Sequence, residues 1–273
     1  MFKKKIKYVC QEALKQIDEL HREIEATRQC RLVISLVYAV ADAGKEFDTL
    51  YPINALRNVA VLHAQTPLIM VIDIDFVPSQ HFWEYLTEES RHRELVLRAT
   101  EELHVWALVS LELHEGHLPL PITRAQVAAG LGNSSIVVAE AYLNPAAHMP
   151  VGIQEWLRQD DIYGPLETSQ AFEPFVLGAR AKLPLYDERF RGYGWDKTTH
   201  AAQLRKEAFS YHMLPFHFVV ARYHQPTPTA VRMFGEGDDT ADTLLRMRME
   251  WLYNRFLAEL EEPGYQLPQV SVY

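Results

Sequence analysis

Cysteine is scarce in this chain of 273 residues, which contains only Cys10 and Cys30. Two cysteines at the ends of one predicted helix support neither a disulfide framework nor a cysteine metal site. The chain also lacks a run of about 20 apolar residues, the length that spans a bilayer, and its start lacks the apolar core of a signal peptide. The sequence as written is therefore predicted to be soluble.

An excess of positive charge is absent as well. The net charge is −9, and no basic stripe follows the opening run at 3–5, so a nucleic-acid partner is not expected. The composition, with 48% hydrophobic and 23% charged residues, is that of an ordinary globular protein. It predicts one domain over 1–273, with an N-terminal helix within 1–30 and a C-terminal helix over 239–262.

The most informative segment is Asp73-Ile74-Asp75, which follows an apolar run at 67–72. The run is short, rich in branched residues and bounded by prolines, which predicts a buried strand. Because successive strand side chains point to opposite faces, both carboxylates lie on one face. They need a cationic partner, and carboxylate oxygens suit Mg²⁺ or Mn²⁺, which in turn hold nucleotide phosphates. The alternative is that both residues only form a turn or cap after the strand.

Helix and strand signals alternate before this segment. The apolar spacing predicts a helix over 11–28, a strand over 32–40 and a second helix that begins near Pro52. This alternation implies a parallel or mixed α/β sheet. The second helix carries Asn54, Arg57 and Asn58 near its positive N-terminus, which is a place for a phosphate or a sugar. A solvated polar face explains the same residues.

Two later segments add candidate site residues. The stretch 168–197 is dense in aromatic, glycine and acidic residues, a composition that fits a sugar site and a packed loop equally well. Further on, an apolar strand near 218–220 is followed by His224. A lone histidine is more often structural than a ligand, so the residue alone does not identify a metal site.

Seven blocks in order resemble glycosyltransferase family 49, which contains the LARGE xylosyl- and glucuronyltransferases and a β-1,4-glucuronyltransferase. The blocks are 51–60, Thr66-Pro67, 73–78, 172–175, 186–190, 192–197, and Leu214-Pro215 before His224. The resemblance implies an α/β fold of the GT-A type, with a mixed, mostly parallel sheet flanked by helices. It also implies that the N-terminal part of the nucleotide-binding sheet is missing.

The same resemblance implies the chemistry. We expect an inverting, Mn²⁺-dependent transferase, with Mg²⁺ as the other possible ion, that moves glucuronic acid or xylose from a UDP-sugar donor to a glycan or glycoprotein acceptor. The alternative is an inactive or truncated relative that acts as a glycan- or protein-binding module. The implied location is the Golgi lumen, if the chain is part of a longer type II membrane protein.

The resemblance also assigns roles to individual residues. The metal ligands are Asp73, Asp75 and His224. The general base is Glu173 or Asp196, and Glu173 is preferred because it lies in the family's Phe-Glu-Pro block, whereas family members commonly carry asparagine at position 196. Donor or acceptor contacts fall on six residues: Asn54, Arg57, Asn58, His148, Trp195 and Lys197.

Overall fold

The computed structural model describes residues 2–27, 30–36, 50–116, 118–141, 144, 146–148, 152–225, 228–234 and 240–267. The chain divides into two compact units, Met1–Asp42 and Ala43–Tyr273. In the first unit, helix α1 spans Phe2–Thr27 and includes most of the helix predicted over 11–28. Residues 32–36 of the predicted strand 32–40 have no regular secondary structure, and 37–40 lie outside the described residues. The assignment of 1–273 to one transferase domain stays a prediction.

The second unit contains the elements that carry the candidate site. In chain order these are α2 (Ile53–His63), β1 (Leu68–Met70), β2 (Phe76–Pro78), α3 (Phe82–Thr87), α4 (Glu89–Glu101), β3 (His104–Leu113), α5 (Arg124–Gly132), β4 (Ile136–Val138), α6 (Ile153–Trp156), β5 (Val176–Ala179), α7 (Asp196–Lys206), β6 (Ser210–Ala221), α8 (Pro228–Phe234) and α9 (Thr240–Leu260). The helices predicted to begin near Pro52 and to span 239–262 are confirmed as α2 and α9.

The strands form one mixed sheet in the order β1-β5-β3-β6-β2, and β4 pairs with β3 outside this order. Strands β3 and β6 run parallel, with His104 opposite Ser210 and Glu112 opposite Ala221. The pairs β1/β5, β2/β6, β3/β4 and β3/β5 are antiparallel. The prediction of a mostly parallel sheet is therefore wrong for the described part of the chain.

The reason lies in how the strands are connected. Helix–strand alternation predicts a parallel sheet only where a crossover, usually a helix, joins consecutive strands. Here β1 and β2 are consecutive but lie at opposite ends of the strand order, joined only by residues 71–75. The segment with Asp73 and Asp75 thus runs from one edge strand to the other. The strand predicted over 67–72 is shorter than expected, because β1 ends at Met70.

Both faces of the sheet are buried, which explains why β3 is almost continuously apolar. Its alternate residues Val105, Ala107 and Val109 enter one core, which includes Trp156 of α6. The intervening Trp106 and Leu108 enter a second core, which is shared with helices α3 and α4. Helices thus cover both faces of the sheet. Polar residues of the candidate site lie beyond the ends of the strands.

A third core joins α9 to the segments that follow β5. It contains Phe190, Ala202 of α7, Met233 of α8, and Met249 and Phe256 of α9. This packing fixes the aromatic and acidic stretch that precedes α7. Among the described helices, none is both long and apolar enough to cross a membrane.

Candidate active site

The loop between β1 and β2 carries two partly buried aspartates. The side chains of Asp73 and Asp75 are 28% and 30% exposed, whereas Ile74 between them is fully exposed. Two backbone hydrogen bonds fix the loop: Phe76 N–H donates to Asp73 O at 3.1 Å, and Arg222 N–H donates to Asp75 O at 3.0 Å. Both residues lie in this loop and not on the strand itself, because β1 ends at Met70. That the two carboxylates share one face stays a prediction.

Asp73 is held by two cations from different helices. Arg57 Nη2 of α2 donates to Asp73 Oδ1 at 2.8 Å, and Lys197 Nζ of α7 lies 3.1 Å from Asp73 Oδ2. Arg57 Nη1 also pairs with Asp196 Oδ2 and donates to Asn54 Oδ1 at 3.1 Å. Arg57 is only 8% exposed, so this network of two cations and two carboxylates is largely removed from water.

Burial and pairing act in opposite directions on these groups. Burial alone raises the pKa of Asp73 and of Asp196, but Lys197 and Arg57 more than offset this, so both carboxyl pKa values lie below the ordinary value. Burial alone lowers the pKa of Lys197, but Asp196 and Asp73 raise it by more, so its pKa lies above the ordinary value. All four groups are therefore charged at neutral pH, and the network carries no net charge.

Asp75 faces His224, as the sequence predicts for two residues 149 positions apart. The distance from His224 Nε2 to Asp75 Oδ2 is 2.9 Å, and His224 Nδ1 lies 3.0 Å from Gln225 O. The bond to the Gln225 carbonyl is the largest cause of a raised pKa for His224, and the bond to Asp75 adds to it. His224 lies three residues beyond the end of β6, so the pairing of β6 with β2 brings these two side chains together.

Asn54 and Asn58 are fully buried and anchor the chain segment before α7. Asn58 Nδ2 donates to Tyr186 O at 2.9 Å, while its Oδ1 accepts from Tyr186 N–H at 2.8 Å. Asn54 Nδ2 donates to Asp187 O at 2.8 Å. These amides hold the aromatic and acidic stretch against α2, and their direct contact with a ligand stays a prediction.

Glu173 lies beside this network. Among the described residues, no ion pair involves its carboxylate. Its Oε1 accepts from the Thr198 hydroxyl at 2.7 Å, and its N–H donates to Ala147 O at 2.9 Å. Burial is the largest cause of the raised pKa of its carboxyl group. Glu173 is thus the less acidic of the two predicted bases, because Lys197 and Arg57 lower the pKa of Asp196.

Two further carboxylates lie near the site and carry no motif that identifies them in the sequence. Burial and the neighbouring Glu173 raise the pKa of Glu140 to about 7. Glu112 accepts from Glu140 N–H at 3.1 Å, and burial raises its pKa as well. The only sequence signal is that Glu112 is a charged residue inside the apolar run of β3.

The remaining predicted contacts are His148 and Trp195. His148 is 4% exposed and stacks against Phe175 with ring centroids 6.4 Å apart, and Lys197 Nζ lies 5.3 Å from the centre of the same Phe175 ring. Trp195 precedes α7 in a left-handed conformation with φ 58° and packs near Tyr253 of α9. A positive φ is unusual for a bulky residue.

Comparison with known proteins identifies the family. A family model described as "Glycosyl-transferase for dystroglycan" matches residues 3–233. "Glycosyltransferase-like protein LARGE" of Caenorhabditis elegans is 26% identical over 221 residues, which are 80% of this chain and 34% of that protein. "Xylosyl- and glucuronyltransferase LARGE2s" of Gallus gallus is 32% identical, over 65% of this chain and 23% of that protein.

The human protein "Xylosyl- and glucuronyltransferase LARGE1" is 29% identical over 177 residues, again 65% of this chain and 23% of that protein. The chain thus spans between about a quarter and a third of the length of these relatives. The family match contains the Asp73 loop, α2, Glu173, Lys197 and His224. Because that match covers most of its residues, this chain belongs to glycosyltransferase family 49, the family of the LARGE proteins.

Proposed function

We propose that the protein transfers a sugar from a UDP-sugar to a hydroxyl of a glycan acceptor, with inversion at the anomeric carbon. The observation that supports this best is one short loop with two different carboxylates. Asp73 is bound to the buried Arg57 and the partly buried Lys197, while Asp75 faces His224. Glucuronic acid and xylose are the proposed sugars, in line with the names of the relatives.

The donor atoms of Asp75 and His224 fit a Mn²⁺ or Mg²⁺ ion. Asp75 Oδ2 and His224 Nε2 are 2.9 Å apart, so both atoms would be within reach of one ion, and carboxylate oxygens are ligands that suit Mn²⁺ and Mg²⁺. Within the described residues, no three His, Cys, Asp or Glu side chains are arranged to hold a metal by themselves. Asp73, Asp75 and His224 therefore do not form a complete metal site as they are arranged in this structure, and a bound Mn²⁺ or Mg²⁺ would need water and substrate phosphates to complete its shell.

Asp73 is the proposed third contributor to this metal site. An ionised carboxylate has about four acceptor positions, and Arg57 and Lys197 occupy one on each oxygen. The remaining positions are free to accept a ligand water or the ion. When bound, the metal supplies positive charge at the diphosphate that leaves with UDP.

The two cations next to Asp73 complete the binding of the donor in this proposal. Arg57 is fixed by Asn54 and Asp196, so it holds the Asp73 loop in one position. Lys197 has a flexible stem and a strongly raised pKa, so it carries a full charge next to the loop. We assign Lys197 to the donor and Arg57 to positioning.

Glu173 is the proposed general base. A base that accepts a hydroxyl proton works best with a pKa near the operating pH, and burial raises the pKa of Glu173. Asp196 is a poorer base, because the ion pair with Arg57 and the nearby Lys197 lower its pKa. Thr198 orients the Glu173 carboxylate through the bond of 2.7 Å to Oε1.

The test is the release of UDP from UDP-glucuronic acid and from UDP-xylose, with water as the acceptor, in Mn²⁺ and in a chelator. We expect release only with the metal, and a fall in kcat of about 10²-fold or more for Glu173→Gln, the usual contribution of a general base. Glu101→Gln, at an exposed position on α4, is the matched control and keeps the parent rate. Equal release with and without metal refutes the proposal, and complete absence of donor binding favours a glycan- or protein-binding module.

A further inference from the structure

Arg205 lies in the last turn of α7 and has a side-chain nitrogen, Nη1, that is removed from water. Among the described residues, no acceptor lies within hydrogen-bond distance of this atom. The adjacent Lys206 pairs with Glu261 at 2.7 Å, and Glu207 accepts from Gln203 Nε2 at 3.0 Å. A buried donor without an acceptor is costly, and more so on a charged group. An arginine in this position is therefore explained best by a ligand that supplies the acceptor.

Two tyrosines from different elements lie near the Arg205 guanidinium. Ala201 precedes Arg205 by one turn on the same face of α7, and its carbonyl accepts from the hydroxyl of Tyr211 in β6 at 3.1 Å. Burial raises the pKa of the hydroxyls of Tyr211 and of Tyr253 in α9, and the charge of Arg205 partly offsets this rise in both. The guanidinium is thus close to two hydroxyls, one from β6 and one from α9.

Of these two hydroxyls, that of Tyr253 is the one available to a ligand. It donates to Gln170 O over 3.4 Å, which is long for an O–H donor, and Gln170 is exposed. Tyr211 is only 3% exposed and is bonded within the protein. The Tyr253 hydroxyl can therefore exchange a weak bond for a stronger one, and the side of Arg205 that a ligand reaches is the side of Tyr253.

The chemistry of these groups selects an oxyanion. A guanidinium N–H and a phenol O–H are both donors, and an ionised oxygen is the acceptor that also compensates the charge of Arg205. A neutral hydroxyl leaves that charge uncompensated. The position separates this pair from the loop with Asp73 and Asp75, which Lys197 contacts. Arg205 follows Lys197 by eight residues of α7, about 12 Å along the helix axis.

We propose that Arg205 and Tyr253 form a binding site for an oxyanion, a carboxylate or a tetrahedral sulfate or phosphate, separate from the candidate active site. Arg205 Nη1 donates to the anion, and the Tyr253 hydroxyl turns from Gln170 to donate a second bond. An anion held by both residues links α7 to α9, which also meet where Trp195 packs 6.0 Å from Tyr253. This inference does not depend on the proposed transferase function.

The experiment is an NMR titration of the ¹⁵N-labelled full chain with sodium phosphate, sodium sulfate and sodium acetate, each balanced with chloride to constant ionic strength. We expect saturable shifts of the amide signals of 205–208, with acetate if the site prefers a carboxylate and with phosphate or sulfate if it prefers a tetrahedral anion. Arg205→Met keeps the apolar stem and weakens binding about tenfold or more, and Tyr253→Phe weakens it about threefold or more. Arg180→Met, at an exposed position, is the control and leaves binding unchanged.

Urea denaturation gives a second readout that a purely structural role for Arg205 would not produce. In chloride alone, Arg205→Met should be at least as stable as the parent, because it removes a buried donor without an acceptor. A saturating anion should stabilise the parent but not the variant. Three results overturn the inference: no anion binds saturably, binding is undiminished in Arg205→Met, or the variant is as much less stable than the parent in chloride as it is in the anion. Displacement of the anion by UDP with Mn²⁺ also overturns it, since the site would then be that of the donor.

Discussion

Replacement of Arg57 by methionine is predicted to destabilise the protein strongly. Methionine keeps most of the apolar bulk of the arginine stem but removes the charge that lies between Asp73 and Asp196. The side chains of Arg57 and Asp196 are 8% and 12% exposed, so solvent screens their interaction poorly. Removal of one partner then leaves a buried carboxylate without its closest cation.

The size of the loss in unfolding free energy depends on which charges remain near Asp73 and Asp196. Loss of one partner of a buried ion pair typically costs about 3–5 kcal/mol. Lys197 stays near both carboxylates, and its Nζ is 3.1 Å from Asp73, so the lower end applies. We expect Arg57→Met to lower the free energy of unfolding by about 3 kcal/mol, which is about 6–12 °C in Tm for a domain of this size.

The assay is urea denaturation followed by tryptophan fluorescence, as a double-mutant cycle. Arg57→Met with Asp196→Asn should regain about half of the lost stability, because the second change removes the uncompensated charge. The control is Arg93→Met, whose partner Glu89 forms an ion pair with both side chains more than 70% exposed, and its cost should stay within about 0.5 kcal/mol. A cost below 1 kcal/mol for Arg57→Met, or no coupling to Asp196, refutes the reasoning.

Two further predictions concern stability. Burial raises the pKa of Glu140 from its ordinary value of 4.5 to about 7, so the folded state holds this proton more tightly and stability falls as pH rises between these values. At pH 8, Glu140→Gln should therefore have a free energy of unfolding in urea about 1–3 kcal/mol above that of the parent. At pH 4 the variant and the parent should be equally stable. A gain in stability at both pH values contradicts the raised pKa of Glu140. Gly130→Ala brings a Cβ to 2.4 Å from Ile136 Cδ1, whereas Gly132→Ala meets nothing within 4 Å. The first should cost about 1–3 kcal/mol and the second should be neutral or stabilising in the same denaturation assay; equal effects contradict the packing argument.

The sequence predicts α2, β1, the end of β6 and α9 of the second unit, because their signals are local. Helix α2 starts after a proline, and the segment 67–72 is a short apolar run bounded by prolines. The strand directions are not determined by local signals. They depend on β1 and β2 lying at opposite ends of the strand order, which nothing in the segment 67–78 indicates.

The candidate site likewise contains residues that the sequence identifies and residues that it does not. The family pattern connects Asp75 to His224 across 149 positions, and the structure brings their side chains within 2.9 Å. No pattern marks Glu140, because its raised pKa comes from burial among distant residues. The surroundings of Arg205 are also invisible in the sequence, since Tyr211 and Tyr253 come from β6 and α9.

Asp75 and His224 are proposed to hold a metal that binds the UDP part of the donor. The proposed metal site is measured by calorimetry of UDP binding with and without Mn²⁺, for the parent, for Asp75→Ala and for Asp161→Ala, a control at an exposed position. We predict that Mn²⁺ tightens UDP binding at least tenfold in the parent and the control but not in Asp75→Ala. Equal affinity with and without Mn²⁺ in the parent, or an undiminished effect of Mn²⁺ in Asp75→Ala, would rule out this metal site.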